Sequence, residues 1–169
     1  MVRLATLTSI APVDSPPRML RTLALLRHGR AAGQGPDAQL TAEGVQQLQK
    51  IATVLRAEHW RADVLLVSPL ARAQASARTF AADLGLSLAP LVLQALSPDT
   101  EPAEALEAID AAAPGRASIL VVSHLPLVAR IANELTGEEV AFTPATFVEI
   151  VHDGDEGARL VRRLSPDEL

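Results

Sequence analysis

The 169-residue chain has no cysteine, no tyrosine, three phenylalanines and one tryptophan. Without cysteine, thiol redox chemistry, thiolate metal sites and a disulfide framework are excluded. So few aromatic rings leave little from which to build a stacking platform for single-stranded bases. Positive charge is also short: 15 Lys and Arg stand against 20 Asp and Glu, a formal net charge of −5. That balance argues against general affinity for nucleic acid or an anionic membrane. No apolar run reaches membrane-spanning length, and no apolar stretch near the start leads to a small-residue cleavage site. The expectation is a cytoplasmic protein whose partners are neither nucleic acid nor membrane.

What remains is a chain 49% hydrophobic, long enough to bury a core without staples. Residues 1–20, with Pro12, Pro16 and Pro17, read as a loosely ordered extension, and 21–169 as one domain. Apolar runs at 22–26, 62–67 and 118–122 read as buried strands, the last of them central. A weaker strand at 86–93 contains Pro90, which suits a sheet edge. Helical spacing of Val45, Leu48, Ile51, Ala52 and Leu55 follows Thr41, a suitable N-cap. Further helices are expected at 70–84 (stopped by Gly85), at 101–113, and from Pro126 to about Leu135. Residues 146–151 and 158–164 form a hairpin about Asp153-Gly154-Asp155. Strands alternating with helices imply an α/β fold, a three-layer α/β/α sandwich with a mostly parallel sheet and an antiparallel C-terminal edge.

The informative pattern is where basic residues fall. Arg27 and His28 lie just past the first strand, Arg72 just past the second, and His124 just past the 118–122 strand. Groups beyond the carboxyl ends of neighbouring parallel strands converge on one crevice. Two guanidinium groups, two imidazoles and two helix N-termini at one point would suit a phosphate dianion. An imidazole can itself act as the nucleophile. His28 is the better placed of the two, since Gly29 lets the backbone pass close to a ligand.

These residues resemble a known family. Arg27-His28-Gly29 is similar to the signature of the histidine phosphatase superfamily, also called phosphoglycerate mutase-like. Ser68-Pro69-Leu70-Ala71-Arg72-Ala73 resembles its second motif and Ser123-His124 its third. Within the superfamily, Val122-Ser123-His124-Leu125-Pro126-Leu127-Val128, Glu134-Leu135, Phe142-Thr143 and Leu164-Ser165-Pro166 resemble the small SixA-type phosphohistidine phosphatases. The resemblance implies that His28 attacks phosphorus, that Arg27, Arg72 and His124 hold the oxygens, and that water then hydrolyses a phosphohistidine. It implies neither metal nor other cofactor.

A general acid is hard to place. Asp99 and Glu101 fall in roughly the right region, but Ser97-Pro98-Asp99-Thr100-Glu101 does not match the family's acid-bearing pattern. An alkoxide leaving group needs a proton, whereas an imidazole of pKa ~6.5 leaves readily. A site without an acid therefore suits P–N bonds. Arg30 stands where SixA-type chains often carry Asp; it is either a solvated loop residue or a contact to an acidic protein or to a second phosphate group. Ser68 and Ser123 read as satisfying turn or cap hydrogen bonds. His59, His152, Glu104 and Glu107 read as surface residues.

The expected function is a monomeric phosphohistidine phosphatase acting on a phosphohistidine-bearing protein. A phosphomonoesterase of small phosphorylated substrates, such as sugar phosphates or nucleotides, is the alternative. A non-catalytic phospho-binding module is the third reading.

Overall fold

A computed structural model describes residues 20–153 and 156–169 of the chain. The expected loose extension, Leu20 apart, and the turn residues Gly154 and Asp155 lie outside the described residues. The strands are β1 (Arg21–Arg27), β2 (Val64–Val67), β3 (Leu91–Val92), β4 (Ser118–Ser123), β5 (Phe147–Asp153) and β6 (Gly157–Leu164). The helices are α1 (Ala42–Ala57), α2 (Ala71–Leu84), α3 (Pro102–Ala112) and α4 (Leu127–Thr136). None of the described helices is long and apolar enough to cross a membrane.

The sheet order is β3-β2-β4-β1-β5-β6. The first four strands run parallel, β5 pairs antiparallel with β1, and β6 with β5. Side chains alternate across each strand, so both faces must be covered. Ala24, Leu26, Leu120 and Val122 pack beneath α1 and α2 with Leu48, Ile51, Ala77 and Phe80. Leu23, Leu25, Ile119 and Val121 pack on the other face beneath α3 and α4 with Ala105, Ile109 and Ile131. This double coverage is why β1 and β4 are continuous apolar runs rather than alternating ones. It is also what makes the fold a three-layer α/β/α sandwich.

Helix ends follow local chemistry. Thr41 caps α1, its side chain accepting from the Gly44 amide. Gly85 closes α2 and Gly137 closes α4, both in the left-handed conformation that lacks a Cβ penalty. Pro102 opens α3, where no amide is needed.

One expectation is corrected. The 86–93 strand shrinks to Leu91–Val92, although it does sit at the sheet edge. Pro90 has no amide to give a ladder. Leu86 and Leu88 instead pack against the α1–α2 core, and Leu86 closes the end of α2 by donating its amide to Ala81.

The register sets up the site. Val67 of β2 lies beside Val122 of β4, and Ser123 beside Arg27 of β1. Three parallel strands therefore end side by side. Because β5 runs the other way, with Phe147 opposite Leu26, the segment entering β5 lies at the same edge.

Candidate active site

Arg27, His28, Arg72 and His124 line one open crevice of ≈ 330 Å³ at this edge, together with Arg30, Ala31, Gly33, Gln34, Leu125 and Pro144. The imidazoles of His28 and His124 lie with ring centroids 5.1 Å apart. No carboxylate lines the crevice among the described residues. Nor do three His, Asp or Glu side chains gather there, or anywhere else among the described residues, as a metal would need.

His28 is held by its backbone and its ring. Its amide donates to Ser123 O at the end of β4, and its carbonyl accepts from the Ala145 amide before β5. Its Nδ1 lies 2.7 Å from the Gly29 carbonyl, which can only accept, so Nδ1 carries the ring proton. The lone pair is then on Nε2, which accepts from Arg72 Nε at 3.3 Å. Burial, with Arg72 and Arg27 nearby, lowers the His28 pKa to about 4, against the partial offset of the Gly29 bond. His28 is thus neutral at pH 7, with its unprotonated nitrogen against a guanidinium.

The other three cationic or imidazole groups are equally constrained. Arg27 donates to the Phe142 carbonyl at 2.7 Å, while its Nε is buried without a partner among the described residues. Burial and Arg72 lower its pKa. Arg72 lies in the first turn of α2 and donates to Gly35 O at 2.8 Å, which ties it to the 31–39 loop. His124 is lowered to about 3 by burial first, then by His28, Arg72 and Arg27. A phosphoryl group entering here would meet fixed donors and two neutral imidazoles. This is the preorganisation that phosphoryl transfer requires.

Comparison with known proteins gives the same family. Residues 23–96 match the model of the histidine phosphatase superfamily, branch 1. A phosphohistidine phosphatase SixA homolog of Haemophilus influenzae is 30% identical over 158 residues, spanning 84% of this chain and 94% of that protein. The chain belongs to the histidine phosphatase superfamily. The phosphohistidine phosphatase SixA of Escherichia coli is 28% identical over 151 residues, covering 86% of this chain and 94% of its own. The solved structure of the protein histidine phosphatase SixA complexed with tungstate superposes with a TM-score of 0.80 at 28% identity. It covers 87% of this chain and 98% of that one.

Not every expected site residue in this histidine phosphatase is where its expected role would put it. Asp99 is exposed, and Glu101 pairs with Arg130 at 2.5 Å; neither reaches the crevice. Gly29 is buried against α1 rather than lining the crevice. A Cβ there would sit 2.6 Å from the Gly44 carbonyl, so glycine is demanded by helix packing. The α2 N-terminus is partly spent, since the Ala71 amide donates to Pro36 O. Arg30 does line the crevice, with its side chain 56% exposed and Nε 3.4 Å from Glu43.

Several contributors left weak traces in the sequence. Phe142 and Ala145 act through backbone atoms, which have no side-chain signature. Gly44 was detectable, because a glycine in the first turn of an otherwise good helix signals close approach. Ser68 makes the expected turn bond to Leu70, but it also meets His124.

Proposed function

We propose that the chain is a phosphohistidine phosphatase that transfers the phosphoryl group of a protein phosphohistidine to His28 Nε2 and then to water. The observation that carries this reading is a crevice with two imidazoles, three guanidinium groups and no carboxylate among the described residues. Tungstate in the similar SixA structure is a tetrahedral oxyanion, as phosphate is. The named relatives support the same substrate class.

The steps balance without a general acid. The substrate ring carries the phosphoryl group on one nitrogen and a proton on the other. The lone pair of His28 Nε2 forms a bond to phosphorus, and the substrate P–N bond breaks. The leaving imidazole keeps its own proton and departs neutral. His28 becomes a phosphoimidazolium whose Nδ1–H still donates to the Gly29 carbonyl, a charge-assisted bond in that state. Water then attacks phosphorus, giving dihydrogen phosphate and neutral His28. Arg27, Arg72 and His124 hold the phosphoryl oxygens throughout. A phosphomonoester gains less here, since its alkoxide would leave without a proton donor.

Arg30 favours a second reading, a phosphomonoesterase for small substrates with a further anionic group. One comparison separates the two. Rates are measured on a phosphohistidine protein, phosphoramidate and a panel of phosphomonoesters, for wild type and His28→Ala. We expect the P–N substrates to be hydrolysed faster, and turnover to vanish in the variant. Faster phosphomonoester hydrolysis would select the second reading, and unchanged activity in His28→Ala would remove the mechanism. Action in the cytoplasm is part of the proposal, and the cysteine-free composition is compatible with it.

A further inference from the structure

Ser68 and His124 form a buried pair, and the mechanism above gives Ser68 no part. We propose that Ser68 is a positioning residue that fixes the tautomer of His124, so that this imidazole offers Nδ1–H to a substrate oxygen. The proposal rests on the phosphoryl-transfer reading of the crevice and specifies how one of its donors is prepared.

Ser68 follows β2 and is fully buried, and His124, following β4, is 1% exposed. The Ser68 hydroxyl lies 2.5 Å from His124 Nε2. The Leu70 amide donates to the same Oγ at 3.3 Å and so occupies one of its lone pairs. A serine hydroxyl has one proton and two lone pairs. If Nε2 carried the ring proton, Oγ would accept twice, and its own proton would be buried with no acceptor among the described residues. Buried polar groups avoid that arrangement. With the hydroxyl donating to Nε2, every group at Ser68 is satisfied and the ring proton falls on Nδ1.

Nδ1 is the atom of His124 that is buried without a partner among the described residues. As N–H, it is a donor that lacks an acceptor. Arg27 Nε, a second donor of the same crevice, is in the same condition. Two unpartnered donors, on residues that line a crevice with no carboxylate among the described residues, match a ligand made of acceptor oxygens. The two imidazoles then carry their protons on the same nitrogen but do opposite work. His28 spends Nδ1–H on the Gly29 carbonyl and keeps a lone pair for phosphorus. His124 fills its lone pair with the Ser68 proton and keeps an N–H for oxygen.

Long-range proton–nitrogen correlation spectra of the full chain, labelled at histidine nitrogens, test this. The His124 signals are assigned by their loss in His124→Gln. At pH 7 we expect the Nδ1–H pattern. In Ser68→Ala that pattern should move towards Nε2–H, and kcat on phosphoramidate should fall roughly tenfold to a hundredfold with KM little changed. Ser68→Thr, which keeps the hydroxyl, should restore both. An Nε2–H pattern in the wild type, or an unmoved pattern in Ser68→Ala, would overturn the proposal. The wild-type spectrum decides even where the alanine variant fails to fold. A wild type with the Nδ1–H pattern but no phosphatase turnover would keep the Ser68 assignment and remove the functional reading, so the two failures are distinct.

Discussion

His28 and His124 are neutral at pH 7 for the same first cause, burial among cations, and this has two consequences for pH. The proposed attack on phosphorus needs an unprotonated His28 Nε2. With His28 at about 4, the acid limb of kcat/KM should fall well below the ordinary histidine value of ~6.5. Stability changes in the same range. Between about 6.5 and the lowered native values the unfolded chain binds protons that the folded chain refuses, so stability rises with pH there. Acidification from about pH 6.5 should therefore weaken the fold, with no contribution from this pair above that pH. Urea unfolding at several pH values checks the sign, and His124→Gln should flatten the slope. A slope of opposite sign would contradict the burial of neutral imidazoles.

At the scale of elements, the site depends on how closely the start of α1 meets the chain leaving β1. Gly44 shows this best. An alanine inside a helix is normally worth about 1 kcal/mol over glycine. Here its Cβ would lie 2.2 Å from Arg30 O and 2.8 Å from Arg30 N, both backbone atoms. Overpacking of that kind costs roughly 1–3 kcal/mol, so the clash outweighs the propensity gain. Gly44→Ala should lower stability in urea unfolding and reduce activity, because Arg30 follows His28-Gly29 directly. A more stable, fully active variant would contradict the packing. The helices and the strands β1, β2 and β4 were legible from the chain because caps and doubly covered apolar runs leave strong patterns. Strand β3 was overread because an apolar stretch next to a proline can pack without pairing, as Leu86 and Leu88 do.

For the whole molecule, the sheet gathers the carboxyl ends of β2, β4 and β1, and that explains how much of the site could be read in advance. Arg27 is the last residue of β1 rather than just past it, and His28, Arg72 and His124 come soon after β1, β2 and β4, so topology alone brings the four together. The carbonyls of Gly29, Phe142 and Gly35 that hold them do so as backbone, and any residue type can supply a carbonyl. The sheet edges also bear on assembly. One edge is the two-residue β3, and the other, β6, carries Arg159, Arg162 and Arg163; short and charged edges resist pairing with another copy. We expect sedimentation equilibrium to show a monomer, and a stable dimer would contradict this. The central claim is that His28 Nε2 accepts the phosphoryl group. Its most direct test is rapid quenching of the chain with a labelled phosphohistidine protein, followed by mass spectrometry of the labelled peptide. We expect an acid-labile, alkali-stable phosphoryl group on His28, bonded to Nε2. Label on another residue, or turnover at full rate with His28 never labelled, would contradict the account.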